Sequence, residues 1–345
     1  MTETDVERHE LALEHAFTIA RGTRTTVDVV TVELESEGTT GVGAAAPAAH
    51  YGETVSTVEA VLPTLLDTVR DAPSLHDRQR IRRGMDATVR DNPAAKAAVD
   101  VALFDWAARR ADLPLYRYLG LDPRESLTTS YTVGIDDPDV MREKTHEAVE
   151  RGYPVLKVKL GTTRHEEILE TVRSAAPDAT LRVDANEAWS PREAVRKIEA
   201  IEPYDVEFVE QPVPAEDPEG LGFVREHSPL PIAADESCVT PDDVPAVAGR
   251  ADIVNLKLMK CGGVGPALEA IHAARAHGLK VMLGCMVESN ASLAAACHLA
   301  PLLDYADLDG SLLLAEDPYE GVPLPAGEIA LSDLGRPGSG ARPAE

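Results

Sequence analysis

Three apolar runs each end in a carboxylate: LRVDA carries Asp184, VEFVEQP carries Glu210 and PIAADES carries Asp235. Read as β-strands, they follow one another and all hold the acid at the C-terminal end. Three carboxylates brought together in a partly desolvated place repel strongly. A hard divalent cation removes that repulsion. Mg²⁺ takes oxygen ligands and keeps positions for water or substrate oxygens. Zinc fits less well, because the 10 histidines fall mostly in helical or loop segments and the 4 cysteines lack ligand spacing. The plainer alternative is three rim acids in an acidic protein.

Lysines flank these acids. VLKVKL sets Lys157 and Lys159 two apart, so a strand presents both on one face, and Lys257 sits near the end of DIVNLKL. Lysines on both sides of a cation-bound substrate suit removal of a carbon-bound proton on one face and its return on the other. Burial and a neighbouring cation both lower a lysine pKa, so a neutral amine is expected near neutral pH. Charge balance for the acids is the alternative role. YADLDGS adds Asp307 and Asp309, again two apart and set away from the metal acids. Such a pair makes a site for an ammonium group, or else simply adds acids to the rim. Further polar residues at strand ends are Asn186, Glu236, Asn255 and Glu288.

The elements that must position these residues are legible from periodicity. Short strands recur from residue 127 onward: TSYTVGI, VLKVKL, LRVDA, VEFVEQP, PIAADES, DIVNLKL, KVMLGC and YADLDG. Helical segments separate them, which argues for parallel strands with crossover helices. Eight such units match a (β/α)₈ barrel, whose strands converge with their C-terminal ends at one mouth. Strands two and six then lie opposite each other, with the acids of strands three to five between. A doubly wound sheet competes, but neither GxGxxG nor GxxxxGK[ST] is present. Residues 1–125 read as strands followed by helices, an α+β unit. There VDVVTVEL alternates as a strand and EGTTGVG turns into another. Pro63 is expected to kink or end VEAVLPTLLDTV, while Pro93 opens PAAKAAVDVALFDWAARR. The expected plan is a capping domain over 1–125, a catalytic barrel over 126–315 and a segment 316–345 that returns to the cap.

Composition narrows the partners. The 345 residues carry a net charge of −26, and only 8 of the 33 basic residues are lysine. No basic stripe is present for nucleic-acid phosphates. An acidic, lysine-poor surface fits a protein kept soluble in concentrated salt. No apolar run is long enough to span a membrane, and MTETDVERHE lacks the marks of a secretory signal. Cys238, Cys261, Cys285 and Cys297 form no CxxC pair, which points to a reduced, cytoplasmic protein. Those near strand ends read as small packing residues. A homo-oligomer is compatible with all of this.

The ordered set Lys157-Val-Lys159, Asp184-Ala-Asn186, Glu210-Gln-Pro, Asp235-Glu-Ser and Lys257-Leu-Met-Lys260-Cys-Gly-Gly resembles the enolase superfamily, in its muconate lactonizing enzyme subgroup. The resemblance extends over nearly the whole chain, including ADLPLYRYLG at the end of the cap. It implies one Mg²⁺ on Asp184, Glu210 and Asp235, and acid/base catalysis by Lys159 and Lys257. Lys157 would bind the substrate carboxylate and tune Lys159. Asn186 and Glu236 would support the ligands from behind, and Lys260 would orient the glycine turn or pair on the rim. The implied step is abstraction of a proton α to a carboxylate, with Mg²⁺ and Lys157 stabilising the enediolate.

The Asp307-Leu-Asp309 motif resembles the dipeptide epimerases of this subgroup. It implies a dipeptide whose carboxylate lies on Mg²⁺, whose ammonium lies on Asp307 and Asp309, and whose second Cα is inverted by 1,1-proton transfer. Side-chain choice would come from cap loops around residues 17–26 and 47–56. Arg24, more than Arg21, aligns with the basic residue that meets glutamate in Ala-Glu epimerases, which favours Ala-Glu over a hydrophobic dipeptide. Two alternatives stay open. One is a cycloisomerase or o-succinylbenzoate-synthase-like lyase, which needs no ammonium site. The other is a non-catalytic ligand-binding barrel.

Overall fold

The computed structural model of the protein describes residues 2–125 and 127–344. Strands β1 (Glu3–Ile19), β2 (Gly22–Ser36) and β3 (Thr39–Ala45) form an antiparallel sheet in that order. The β1–β2 hairpin loses its regular register between Ala12 and Phe17 and turns at residues 20–21. Helices Val55–Arg70, Arg78–Thr88 and Pro93–Arg110 pack behind the sheet.

Pro63 lies inside its helix and does not end it. Pro63 and Glu59, whose carbonyl loses its helical partner, both lie on the exposed side, where water satisfies the carbonyl. The helix from Pro93 is buried at almost every position from Ala94 to Ala108. Its alanines and the glycines of β3 make that contact close: a Cβ on Gly41 or Gly43 would strike the Ala102 or Ala98 carbonyl. Two buried acids tie this helix outward. Asp105 accepts from Val42 N at 2.8 Å and Ser339 N at 2.6 Å, while Asp100 accepts from Gly265 N at 3.0 Å.

Eight parallel strands then follow in sequence order. They are β4 (Tyr131–Val133), β5 (Val155–Lys159), β6 (Thr180–Asp184), β7 (Val206–Glu210), β8 (Ile232–Ala234), β9 (Ile253–Lys257), β10 (Lys280–Gly284) and β11 (Tyr305–Asp307). Every expected barrel strand is present. A parallel bridge between Thr129 and Ala306 brings the two ends of the sheet together, with Ser130 N donating to Ala306 O at 3.2 Å. On β5, Leu156 and Val158 pack into the main core, while Lys157 and Lys159 take the alternate face toward the barrel axis. The barrel floor is filled. Arg182, two residues below Asp184, donates to Ala306 O at 2.9 Å and lies 5.4 and 5.1 Å from the Phe208 and Tyr305 rings.

Beyond residue 316 the chain runs back along the cap. Tyr319 Oη donates to Glu33 at 3.2 Å, and Leu115 N donates to Gly338 O at 2.7 Å. Strands β12 (Tyr319–Glu320) and β13 (Arg342–Pro343) pair within this segment. Among the described residues no helix is long and apolar enough to cross a membrane.

His298 joins this return to the barrel. Tyr116 N donates to His298 Nδ1 at 2.9 Å, and Nε2 lies 2.9 Å from Ser339 O, so the neutral ring carries its proton on Nε2. Burial depresses its pKa from 6.5 to about 4. Below about pH 6.5 the unfolded chain takes up a proton that the folded ring refuses, so stability falls until about pH 4. The full contribution is roughly 3 kcal/mol. His298→Gln is therefore expected to show a smaller drop in Tm between those pH values than the wild-type chain, measured by calorimetry. An equal drop in both proteins would refute the assignment.

Candidate active site

Strand register places the acids. Lys159 pairs with Asp184 across β5 and β6, and Asp184 pairs with Glu210 across β6 and β7. Asp235 follows β8 directly. All three carboxylates are buried, and one oxygen from each falls within 4.8 Å of the others. Neighbours hold them in place. Asn255 Nδ2 donates to Glu210 Oε1 at 2.7 Å, and Asn186 N donates to Asp184 Oδ1 at 2.9 Å. The Gln211 side-chain oxygen accepts from Asp235 N at 2.9 Å and Ser237 N at 3.1 Å. Gly284 leaves the room this needs, since a Cβ there would lie 2.6 Å from Asn255 Oδ1. Glu210 Oε2 accepts no hydrogen bond of good geometry, although Lys157 Nζ is 2.7 Å away. A buried, all-oxygen donor set with such an atom fits Mg²⁺.

The lysines stand on both sides of the acids. Lys159 Nζ lies 2.6 Å from Asp184 Oδ2, and across the barrel Lys257 Nζ lies 2.7 Å from Asp235 Oδ2. Lys157 Nζ reaches Glu210 and Asp307 at 2.7 Å and Asp184 at 3.3 Å. Burial lowers Lys157, but Asp307, Glu210 and Asp184 more than offset it and hold the ammonium well above its ordinary value. Lys257 is likewise raised, with burial opposed by Asp235. Lys260 is not on the rim. It is fully buried beneath Asp235, donating to Asp235 Oδ1 at 2.6 Å and to the Asp235, Asn255 and Cys238 carbonyls.

The acids divide by their neighbours. Burial raises Asp184, yet Lys159 and Lys157 outweigh it and bring the pKa to about 2. For Glu210, burial and then Asp184 dominate and push it up to about 8. Burial and Asp235 raise Glu236 to about 7.

Asp307 and Asp309 are less separate from the three clustered acids than their sequence positions suggest, because Lys157 links Asp307 directly to Glu210. Asp307 ends β11 and accepts from Ser130 Oγ. Asp309 lies beyond the strand and accepts from Thr132 N at 2.6 Å. Burial and Asp307 raise Asp309 to about 6. Both border a cavity of about 730 Å³ beneath the cap, as do Lys157, Lys159, Lys257 and Asn186. Arg21 and Arg24 also border it and differ sharply. Arg21 pairs with Glu236 at 2.7 Å and Glu187 at 3.0 Å, whereas the Arg24 side chain has no polar partner among the described residues. Cys285 lines the cavity wall as well, so it does more than fill core space.

Sequence reasoning missed several contributors. Ser130 and Thr132 gave no signal beyond lying on the first barrel strand. Glu187 and His50 were invisible because only folding brings them to Arg21.

Comparison with known proteins agrees with this geometry. Residues 1–120 match the mandelate racemase / muconate lactonizing enzyme N-terminal domain, and residues 140–345 match the enolase C-terminal domain-like model. The L-Ala-D/L-Glu epimerase of Bacteroides thetaiotaomicron is 40% identical over 96% of this chain and 85% of its own. The hydrophobic dipeptide epimerase of Enterococcus faecalis is 38% identical over 92% of this chain and 93% of its own. A crystal structure of a dipeptide epimerase from Enterococcus faecalis, complexed with Mg and L-Leu-L-Tyr, superposes with a TM-score of 0.92 at 36% identity, covering 98% of each chain. The chain belongs to the mandelate racemase / muconate lactonizing enzyme family of the enolase superfamily.

Proposed function

We propose that the protein is a Mg²⁺-dependent dipeptide epimerase that inverts the α-carbon of the second residue. The observation that carries this reading is the placement of Lys159 and Lys257 on opposite sides of the three carboxylates, both reaching one cavity with Asp307 and Asp309 on its wall. Asp184, Glu210 and Asp235 would hold the metal, which when bound supplies the positive charge that binds the substrate carboxylate and offsets charge developing on it. One lysine in its neutral form takes the α-proton. The C–H pair of electrons moves into the carboxylate to give an enediolate, and an N–H bond forms. The other lysine, protonated on the opposite face, then delivers its proton to the same carbon.

Lys157 keeps its charge and stabilises the enediolate without moving a proton. Asn186 and Glu236 support the ligands, and Lys260 fixes Asp235 from below. The substrate's ammonium group lies on Asp307 and Asp309. That site disfavours the cycloisomerase and lyase alternatives, whose substrates carry no such group. Arg24, unpaired at the cavity, favours an acidic second residue such as that of Ala-Glu. Leu13, Phe17 and Ile19 on the same wall favour a hydrophobic dipeptide instead. Four free cysteines, three of them buried, support a reducing, cytoplasmic setting.

Incubation of the protein with Mg²⁺ and a library of L,L-dipeptides in D₂O is expected to give deuterium at the second α-carbon together with the epimer, followed by NMR. Absence of both across the library would sink the reading. Ala-Glu turning over faster than hydrophobic dipeptides is expected, and Arg24→Ala should abolish that preference. Lys159→Ala and Lys257→Ala should each lower kcat by at least about a hundredfold. An active Lys159→Ala protein would remove the proposed acid/base pair. Asp309→Asn should raise KM for dipeptides by about tenfold or more, through loss of a charged partner for the ammonium. Unchanged turnover would move the ammonium site elsewhere. The net charge of −26 supports adaptation to concentrated salt. Tm is then expected to rise steeply between about 0.1 M and about 2 M KCl, as repulsion is screened. Full stability in dilute buffer would refute this.

A further inference from the structure

The cap meets the barrel mouth through two loops that come from distant parts of the chain, and both end on one side chain. The hairpin turn between β1 and β2 brings Arg21, whose Nη1 donates to Glu187 Oε2 at 3.0 Å. The short turn Ala49–Tyr51 brings His50, whose Nε2 lies 3.2 Å from the same Glu187 oxygen. Glu187 follows β6 by three residues and belongs to the barrel. Its other oxygen accepts from Ala215 N at 2.9 Å, so the carboxylate is fixed before either loop arrives.

The backbone beneath is held in an unusual shape. Asn186 and Glu187 have φ of 43° and 67°, the left-handed region that an L-residue such as glutamate seldom adopts. Glu187 N donates to Gln211 O at 2.8 Å, which locks that shape to the next rim loop. The result aims the Glu187 side chain up at the cap.

The two loops depend on this anchor to different degrees. At its own base the second loop is secured by Glu53, which accepts from Ala94 N and Ala95 N at the start of the helix from Pro93. Its tip meets the barrel through His50. The hairpin has a second tie, Ile135 N to Thr18 O at 2.9 Å, and Ala20 packs toward Gly161. Its tip is nonetheless held by Arg21, on Glu187 and on Glu236. Arg21, His50 and Tyr51 all border the cavity, so where these tips sit decides how the cavity is closed. Glu187 itself does not border it.

We infer that Glu187 is a positioning residue: it fastens both cap loops to the barrel rim through Arg21 and His50, and so sets the closed shape of the substrate cavity without touching substrate. The inference about catalysis rests on the dipeptide-epimerase reading, whereas the fastening of the loops does not.

Glu187→Gln keeps the length and an oxygen for Ala215 N but removes the charge facing Arg21 and His50. In the full-length Mg²⁺-loaded protein, amide hydrogen exchange in residues 19–24 and 48–53 is expected to quicken by about tenfold. KM for the preferred dipeptide should rise by about tenfold while kcat stays within about twofold. Mg²⁺ affinity, measured by calorimetric titration, should be unchanged. The double variant Arg21→Ala/His50→Ala should reproduce the exchange result from the cap side, and it replaces Glu187→Gln should that protein fail to fold. Unchanged exchange in both loops overturns the inference, as does a fall in kcat at constant KM. If the wild-type protein turns over no dipeptide but the loops still loosen, the proposed function fails and the fastening stands.

Discussion

Lys157 carries an ammonium group that is 2% exposed and lies within 3.3 Å of carboxylates from three different strands. Water is replaced there by Asp184, Glu210 and Asp307, and neither partner could be buried alone. Removing one member of such a cluster leaves an uncompensated charge, so the cluster constrains its neighbours as a unit. Glu210 shows the imbalance most clearly. It sits between like charges in a desolvated place and is pushed up to about 8. The surrounding Asn255, Gln211 and Lys260 follow from that constraint: Asn255 and Lys260 each give a donor to an acid, and the Gln211 oxygen accepts from the backbone of the loop that bears Asp235.

The barrel distributes this charge so that it can act. Parallel strands deliver their C-terminal ends to one mouth, and the pleat turns alternate residues toward the axis. Val158 and Leu156 therefore bury on the outside of β5 while Lys157 and Lys159 face inward from the same five residues. Register then sets Lys159 beside Asp184, and four strands on, Lys257 beside Asp235. Two proton-carrying groups on opposite sides of one space are a property of the closed sheet, not of any local motif. Below them, Arg182 packs against Phe208 and Tyr305 and fills the floor.

The cap contributes shape more than charge. Its helix from Pro93 is alanine-rich where it meets β3 and the barrel, and that closeness fixes the sheet whose hairpin overhangs the mouth. The C-terminal segment reinforces it through Ser339 on Asp105 and through His298. A cavity of about 730 Å³ under such a cover exceeds what a small dipeptide needs, which leaves its loops to define the fit.

Much of this was legible in the sequence because it depends on period and order. Short apolar runs between helical segments marked all eight barrel strands, and polar residues at the ends of the strands from the second onward marked the mouth. Asp184, Glu210, Asp235, Lys157, Lys159 and Lys257 followed from those two patterns alone. What the pattern lacks is distance between side chains. The three carboxylates that surround Lys157 and hold its ammonium charged come from distant segments, so the sequence does not show them. Lys260 was read as orienting the glycine turn or pairing on the rim, because nothing local tells a surface lysine from one that meets four buried oxygens. Whether Pro63 ends its helix was not legible, because its exposure, which lets water replace the lost hydrogen bond, is a tertiary fact. Arg21, His50 and Glu187 meet across gaps of 166 and 137 residues, and such long-range charge pairing leaves no period to read. The sequence by itself determined the strand order and the chemistry available at each strand's end. Only the tertiary structure decided which charges neutralise one another, because electrostatic energy depends on separation and burial, and both are set by the closed fold.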